Sequence, residues 1–323
     1  MRHNKRRWTA LVAILLVFSV VIAGCGKDES KEANSQDPAL ELAKPLDTTS
    51  KKVVAEYEGG KVTEGELNLY LNILQFLQPN VSLFLNDAEA KEQLVKQLIG
   101  ERMIAAKVEE DQSYAKQADK VLKEIEDYLK SQSDKSFEES LEERGFTGEQ
   151  LRDFLITGNK VTSYFEKQVK EEDLKKEYNR PDLFISVKVH HILISTANRS
   201  DDEAKKRAEE VKKKLDNGED FSKLAKEYSD DPGSKEQGGL VEGLADQFVP
   251  EFAKAARTLP LNTLSDPIKT DYGYHVMKVA ERKKLPYNEV RDQLKQDQVQ
   301  KLYQSFVEKN VKLKKLDLPD FGN

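Results

Sequence analysis

The run FISVKVHHILI at Phe184–Ile194 constrains this chain more than any other stretch. It reads as a strand, while the segments on both sides carry apolar residues at the three-to-four spacing of amphipathic helices. A strand set between helical segments needs other strands to pair with. The spacing therefore predicts a helical region interrupted by an inserted unit with its own sheet. The length, 323 residues, agrees with about two domains. Charged residues make up 34% and aromatic ones 8%, a balance that excludes a polytopic membrane protein.

In the N-terminal flank, Val53 to Tyr57 reads as a short strand and Gly59-Gly60 as a turn. Thr63 and Glu66 have the spacing of a capping box, ahead of a helix whose Leu67, Leu71 and Leu74 share one face. Further helices are predicted around Leu94–Val108 and Ala118–Leu129, and after a second capping box at Thr147 and Gln150. A last helix near Asn288–Lys309 carries Val290, Leu294, Leu302 and Phe306, so the C-terminal flank returns to the helical lobe. These stripes read as core faces.

Between the flanks, from Phe184 to about Glu281, the strand is followed by a charged helix over Asp201–Leu215, with Asn217-Gly218 at its end. Then come FSKLAKEYS as a short helix, the loop DDPGSKEQGG, a short helix after Pro250, and strands near DPIKT and GYHVMKVA. This is a compact α+β unit.

The N-terminus is of another kind. Arg2, Lys5, Arg6 and Arg7 precede an apolar run, Leu11 to Ala23, too short for a comfortable span. It ends in Ile22-Ala23-Gly24-Cys25, which resembles a bacterial lipoprotein box. That resemblance implies a diacylglyceryl group on Cys25 and cleavage that leaves Cys25 as the first residue. Two acyl chains suffice for stable anchoring, at roughly 0.8 kcal/mol per buried CH₂. Residues 26–50 lack aromatic residues and read as a flexible tether. Cys25 is the chain's one cysteine, so neither a disulfide framework nor a cysteine metal cluster is expected. A net charge of −6 argues against nucleic acid as a partner.

The middle segment resembles the parvulin-type peptidyl-prolyl cis/trans isomerases. The matching residues are His191-Ile192-Leu193, Phe221–Ser229, Ser234 with Gly238-Gly239, Val249-Pro250-Glu251-Phe252 and Gly273-Tyr274-His275-Val276. With the lipoprotein box, the EGGKVTEGEL start and the split helical lobe, the whole chain is similar to the PrsA-like foldase lipoproteins of Gram-positive bacteria. The helical lobe also resembles the chaperone lobe of SurA. The implied fold class is α+β, with a parvulin-type domain (a small antiparallel sheet with helices) inserted in a mostly helical chaperone domain. The expected divisions are 1–24 signal peptide, 25–50 lipidated cysteine and tether, 51–183 helical lobe, 184–283 isomerase domain, and 284–323 returning helix and tail.

Rotation about a Xaa–Pro bond crosses a barrier of about 18–20 kcal/mol without breaking a bond. Neither metal nor cofactor is needed, only apolar walls for proline and polar groups aimed at the twisted amide. His190 and His191 point to opposite faces of their strand, and His191 shares its face with Val187, Val189 and Leu193. The resemblance implies that His191 and His275 lie together beneath the site; the same pattern suits satisfied core histidines that set strand geometry. Asp231 falls where the family places a Cys or Asp beside the amide, and reads as an exposed loop acid before the turn at Pro232. Phe248 and Phe252 are the expected proline pocket, with Val241, Leu244 and Tyr272 as further wall residues.

Family members usually read GGDLGxF after the loop, whereas this chain has GGLVEGL from Gly238 to Leu244. The acid, third glycine and aromatic are displaced or missing. Two readings follow. One is a membrane-anchored extracytoplasmic isomerase and foldase whose partners are unfolded or partly folded exported polypeptides. The other is a pure holdase with a degenerate parvulin domain that binds peptides. A solute-binding lipoprotein would show two similar α/β lobes, which the split helical pattern contradicts. The resemblance also implies self-association as a homodimer, for which no heptad is visible.

Overall fold

In the computed structural model, which describes residues 44–319, the chain divides into two compact units. One comprises the residues up to Val169 and those from Lys295; the other is Lys170–Leu294. The expected signal peptide, Cys25 and the tether as far as residue 43 lie outside the described residues.

The first unit opens with β1 (Val53–Tyr57), β2 (Gly60–Thr63) and α1 (Glu64–Leu77), followed by α2 (Ala88–Ala105), α3 (Gln112–Gln132), α4 (Phe137–Glu142) and α5 (Gly148–Glu166). The second holds α6 (Glu171–Tyr178), β3 (Ile185–Ser195), α7 (Asp201–Asp216), α8 (Phe221–Tyr228), β4 (Leu240–Leu244), α9 (Pro250–Thr258), β5 (Ile268–Thr270) and β6 (Gly273–Lys284). The chain ends with α10 (Tyr287–Asn310), whose residues from Lys295 belong to the first unit, and β7 (Leu313–Leu316).

In the first unit both capping boxes form. Thr63 N–H donates to Glu66 Oε2 at 2.7 Å, and Thr147 N–H to Gln150 Oε1 at 2.8 Å, which closes donors that a helix start otherwise leaves open. Leu67, Leu71 and Leu74 are buried in one core with Leu94, Ile99, Val121, Leu151 and Phe165. Val299, Tyr303 and Val307 of α10 are in the same core. β7 pairs antiparallel with β1, opposite the side taken by β2.

Residues 44–50 correct the tether expectation. Leu46 N–H donates to Asn72 Oδ1 at 2.9 Å while Asn72 Nδ2 donates to Leu46 O at 3.0 Å. Asn68 Nδ2 donates to Asp47 O, and Gly65 N–H to Ser50 O. Asn68 and Asn72 sit one turn apart on α1 and are buried, so their amides require partners. The preceding segment supplies them.

In the second unit the sheet order is β4-β3-β6-β5, with every pairing antiparallel. One face carries Ile192, Ile194, Tyr274 and Val276 against α7 and α8. The other carries Val187, Val189, Met277 and Val279 against Phe252 and Ala256 of α9. A nine-residue helix is marginal alone. Burial of Phe252 contributes roughly 1.5–3 kcal/mol, and Arg282 of β6 donates to the carbonyls of Ala256, Arg257 and Leu259 at its C-terminal end.

This unit extends beyond the expected bounds of 184 and 283. The Tyr178 hydroxyl donates to Leu285 O at 2.9 Å and its ring lies over Phe184. Glu171 accepts from the Tyr287 hydroxyl and from Arg291. The first helix and the segment after β6 are thus tied to each other, so neither can be cut from the unit.

Candidate active site

Strand alternation puts His191 on the α9 face of β3 and buries it, while His190 faces the other way. His190 Nδ1 lies 3.2 Å from Gly238 O, and its ring packs on Phe221. On β6, His275 stands opposite Leu193, and Met277 opposite His191. The two histidines therefore occupy neighbouring positions on one face, with Nδ1 atoms 3.2 Å apart.

The loop after α8 brings Asp231 to the same place. Leu193 N–H donates to Ser229 Oγ and Asp230 N–H to Leu193 O, which stitches the loop to β3. Its far end returns at Gly239, whose carbonyl accepts from His191 N–H at 2.8 Å. Gly239 has φ +75°, and a Cβ there would lie 2.2 Å from His191 O. Only glycine lets the two backbones meet so closely.

Asp231 Oδ2 is 3.0 Å from His191 Nε2, and Ser234 Oγ is also 3.0 Å from that nitrogen. Ser234 donates to Asp231 Oδ2 as well, and Gly233 N–H to Oδ1. At the other end, Thr270 Oγ1 is 3.0 Å from His275 Nε2. Burial pushes the His275 imidazole down to about 3, with the neighbouring His191 adding to the effect. The hydrogen bond from His191, then those from Ser234 and Gly233, hold the Asp231 carboxyl well below its ordinary value against the opposing effect of burial.

Ionised Asp231 only accepts, so His191 Nε2–H donates to it. One proton lies between the two Nδ1 atoms, and the Thr270 hydroxyl, which also lies 3.5 Å from Gly273 O, shares another with His275 Nε2. Tyr272 N–H donates in turn to Thr270 Oγ1 at 3.2 Å. The hydrogen-bonded chain runs unbroken from Thr270 through both histidines to Asp231.

Phe252 closes the apolar side. Its ring is edge-on to His191 at 5.3 Å and to His275 at 5.4 Å between centroids, and Phe248 lies 5.0 Å beyond it, half-buried. Val241 pairs with Val189 and shares this face. Gly243 pairs with Val187 and lies on it too, where a Cβ would come 3.7 Å from the Phe248 ring. The departure from the family pattern at GGLVEGL thus still leaves a glycine under Phe248.

Residues 172–283 match the family described as the PPIC-type PPIase domain. The foldase protein PrsA of Clostridium botulinum (strain Hall) is 37% identical over 254 residues, covering 71% of this chain and 73% of that protein. PrsA of the Langeland strain is 33% identical over 312 residues, covering 85% of this chain and 90% of that protein. The chain belongs to the PrsA foldase family. It is a peptidyl-prolyl cis/trans isomerase of the parvulin type. Among solved structures, the peptidylprolyl isomerase PrsA from Bacillus anthracis is similar at 28% identity, with a TM-score of 0.44, over 70% of this chain and all of that one.

In this PrsA-family foldase the structure brings His191, Asp231, His275, Phe248, Phe252 and Val241 together. Leu244 is a correction. It pairs with Ser186, an odd number of positions from Val241, so it points away from the histidine face. Tyr272 lies in the β5–β6 turn, 58% exposed, and takes part through its backbone N–H rather than as a pocket wall. Ser234, one of the residues that carry the family resemblance, and Thr270 are also part of the network, although the sequence assigns neither a role in the site. The signal for Thr270 is its place at a two-residue hairpin, diagonal to His275.

Proposed function

We propose that this foldase is lipid-anchored through Cys25 on the outer face of the cell membrane, and that it turns Xaa–Pro bonds of exported polypeptides at the Asp231 site. The observation that carries the catalytic reading is the hydrogen-bonded chain from Thr270 through His275 and His191 to Asp231, ending beside Phe248 and Phe252. Phe248 and Phe252 grip the pyrrolidine ring, with Val241 behind them. Asp231, held ionised, faces the carbonyl oxygen preceding proline. Its charge disfavours the planar amide, in which that oxygen carries most density, relative to the twisted one. His191 and His275 position the carboxylate and transfer no proton. The helical unit holds the rest of the client chain.

Anchoring rests on the Ile22-Ala23-Gly24-Cys25 box behind its basic, apolar leader. Among the described residues no helix is long and apolar enough to cross a membrane. The test pairs two assays. Isomerisation of short proline peptides should fall in both Asp231→Ala and Phe248→Ala, with aggregation suppression retained; unchanged isomerisation in both overturns the site. Cys25→Ala should release the protein from the membrane fraction or leave it unprocessed, and membrane retention of correctly cleaved Cys25→Ala overturns the anchor.

A further inference from the structure

The helical unit contains a cavity of about 270 Å³ between α1, α2 and α5 that the isomerase site does not use. Its walls include Tyr70 and Phe154, whose rings are tilted against each other with centroids 5.7 Å apart, and Leu98. Glu101 also lines it, although the residue is only 3% exposed. Tyr70 donates to Glu101 Oε1 at 2.8 Å and the Tyr303 hydroxyl lies 3.5 Å from the same oxygen. Among the described residues Oε2 has no hydrogen-bond partner. The carboxyl thus keeps one oxygen unspent by the protein at the cavity wall, where a ligand can engage it.

The charge balance selects the ligand. Glu66 and Arg102 at the edge form an ion pair at 3.1 Å and cancel. Asp153 adds a carboxylate beside the Glu101 carboxyl, so an anion is repelled. Aromatic faces beside carboxylates suit a cation with a hydrocarbon stem. We propose that this cavity binds a basic side chain of an unfolded polypeptide, with the stem against Tyr70 and Phe154 and the cationic head toward Glu101 and Asp153. The proposal rests on the foldase reading and narrows its clients to segments in which basic residues alternate with apolar ones.

Binding then moves a proton. Burial pushes Glu101 up to about 8, so the empty cavity holds a neutral carboxyl at neutral pH. The groups facing it are Glu66 and Tyr70 on α1, Arg102 on α2, Asp153 on α5 and Tyr303 on α10. An incoming ammonium or guanidinium favours the carboxylate, and the Glu101 proton leaves to the buffer.

The test uses the purified full chain and a fluorescein-labelled peptide of alternating Leu and Lys without proline. It should bind about tenfold or more tightly than peptides with Glu or norleucine in place of Lys, as expected for a charge-assisted contact. Glu101→Gln keeps the tyrosine hydrogen bonds and should weaken binding about tenfold, as should Phe154→Ala. Calorimetry near neutral pH in two buffers of different ionisation enthalpy should show proton release with the unaltered chain and none with Glu101→Gln. Equal binding of the Glu peptide, or unchanged binding in both variants, overturns the proposal. Aggregation suppression in the same samples tests the foldase reading separately.

Discussion

His191 and His275 meet Nδ1 to Nδ1 at 3.2 Å inside a buried network, so their two facing nitrogens share a single proton. A second proton on this contact would set N–H against N–H. The pair therefore works as a fixed link, with Thr270 closing one end and Asp231 the other.

This link makes stability depend on pH with a definite sign. His275 is held at about 3, below its ordinary 6.5, by burial and then by His191. Above 6.5 it is neutral both folded and unfolded, and its contribution is complete. As pH falls below 6.5 the unfolded chain takes up a proton that the folded chain refuses until about 3. Stability is lost across that window at up to about 1.4 kcal/mol per pH unit. Asp231, whose carboxyl is lowered, loses its contribution only below the ordinary 3.8. Denaturant midpoints of the second unit should fall from pH 7 to pH 5, and His275→Gln should flatten the slope. Identical slopes would refute the assignment.

Thr270→Val removes the hydroxyl partner of His275 Nε2 and keeps the shape. A buried polar group left unpaired costs about 1–3 kcal/mol. The imidazole is then free to change tautomer, which disorders the link to Asp231. Unfolding should shift by that amount and kcat/KM for proline peptides should fall about tenfold, equivalent to about 1.4 kcal/mol in the barrier. A change in stability with kcat/KM intact would reduce Thr270 to a packing role.

The sequence reading treats Asp231 as an exposed loop acid, which implies that Asp231→Ala lowers activity with little structural cost. The structure changes that expectation. The side chain is 23% exposed and accepts from His191, Ser234 and Gly233. Ser234 is fully buried. Asp231→Ala should therefore cost about 1–3 kcal/mol of stability in addition to activity. Asp231→Asn, which can still accept, should recover part of the stability without the charge, and paired thermal and isomerase measurements separate the two contributions.

Gly239→Ala tests the crossing of the loop and β3. The residue would carry a positive φ, worth roughly 1–2 kcal/mol against any side chain, and its Cβ would collide with His191 O at 2.2 Å. Hydrogen exchange should show the second unit loosened throughout, with isomerisation lost and protection in α2 and α5 unchanged. Normal protection at His191 N–H would show that the crossing tolerates a side chain.

Local chemistry was legible where one segment settles it. The capping boxes at Thr63 and Thr147, the alternation that separates His190 from His191, and the Gly218 helix end all follow from nearest neighbours. What depends on register was not. Leu244 was misassigned because a one-position change of parity in a strand sends a side chain to the other face. β7 reads Leu-Lys-Lys-Leu, too charged to declare itself a strand, and its partner β1 lies near the other end of the chain. Thr270 and Ser234 are ordinary hydroxyls until β6 and the loop bring histidines to them. The docking of residues 44–50 was not legible either, because the need of the Asn68 and Asn72 amides for partners shows only once the packing of α1 buries them.

The returning chain gives the last prediction. Val299, Tyr303, Val307 and Val311 are buried in the core of the first unit, and Gly100 of α2 lies where a Cβ would come 2.8 Å from Val307. Each such side chain contributes roughly 1.5–3 kcal/mol through burial, so removing all four takes away an amount comparable with the whole stability of an ordinary domain. The place of the cut matters. A deletion from Leu285 would also take Tyr287 and Arg291, which hold Glu171, and so disturb both units. A deletion of residues 295–323 leaves those ties in place. Hydrogen exchange on that truncated chain should show α1, α2 and α5 unprotected, while β3 and β6 keep their protection and proline peptides are still isomerised. Full protection of α2 in the truncated chain would mean that the first unit is complete without its C-terminal part.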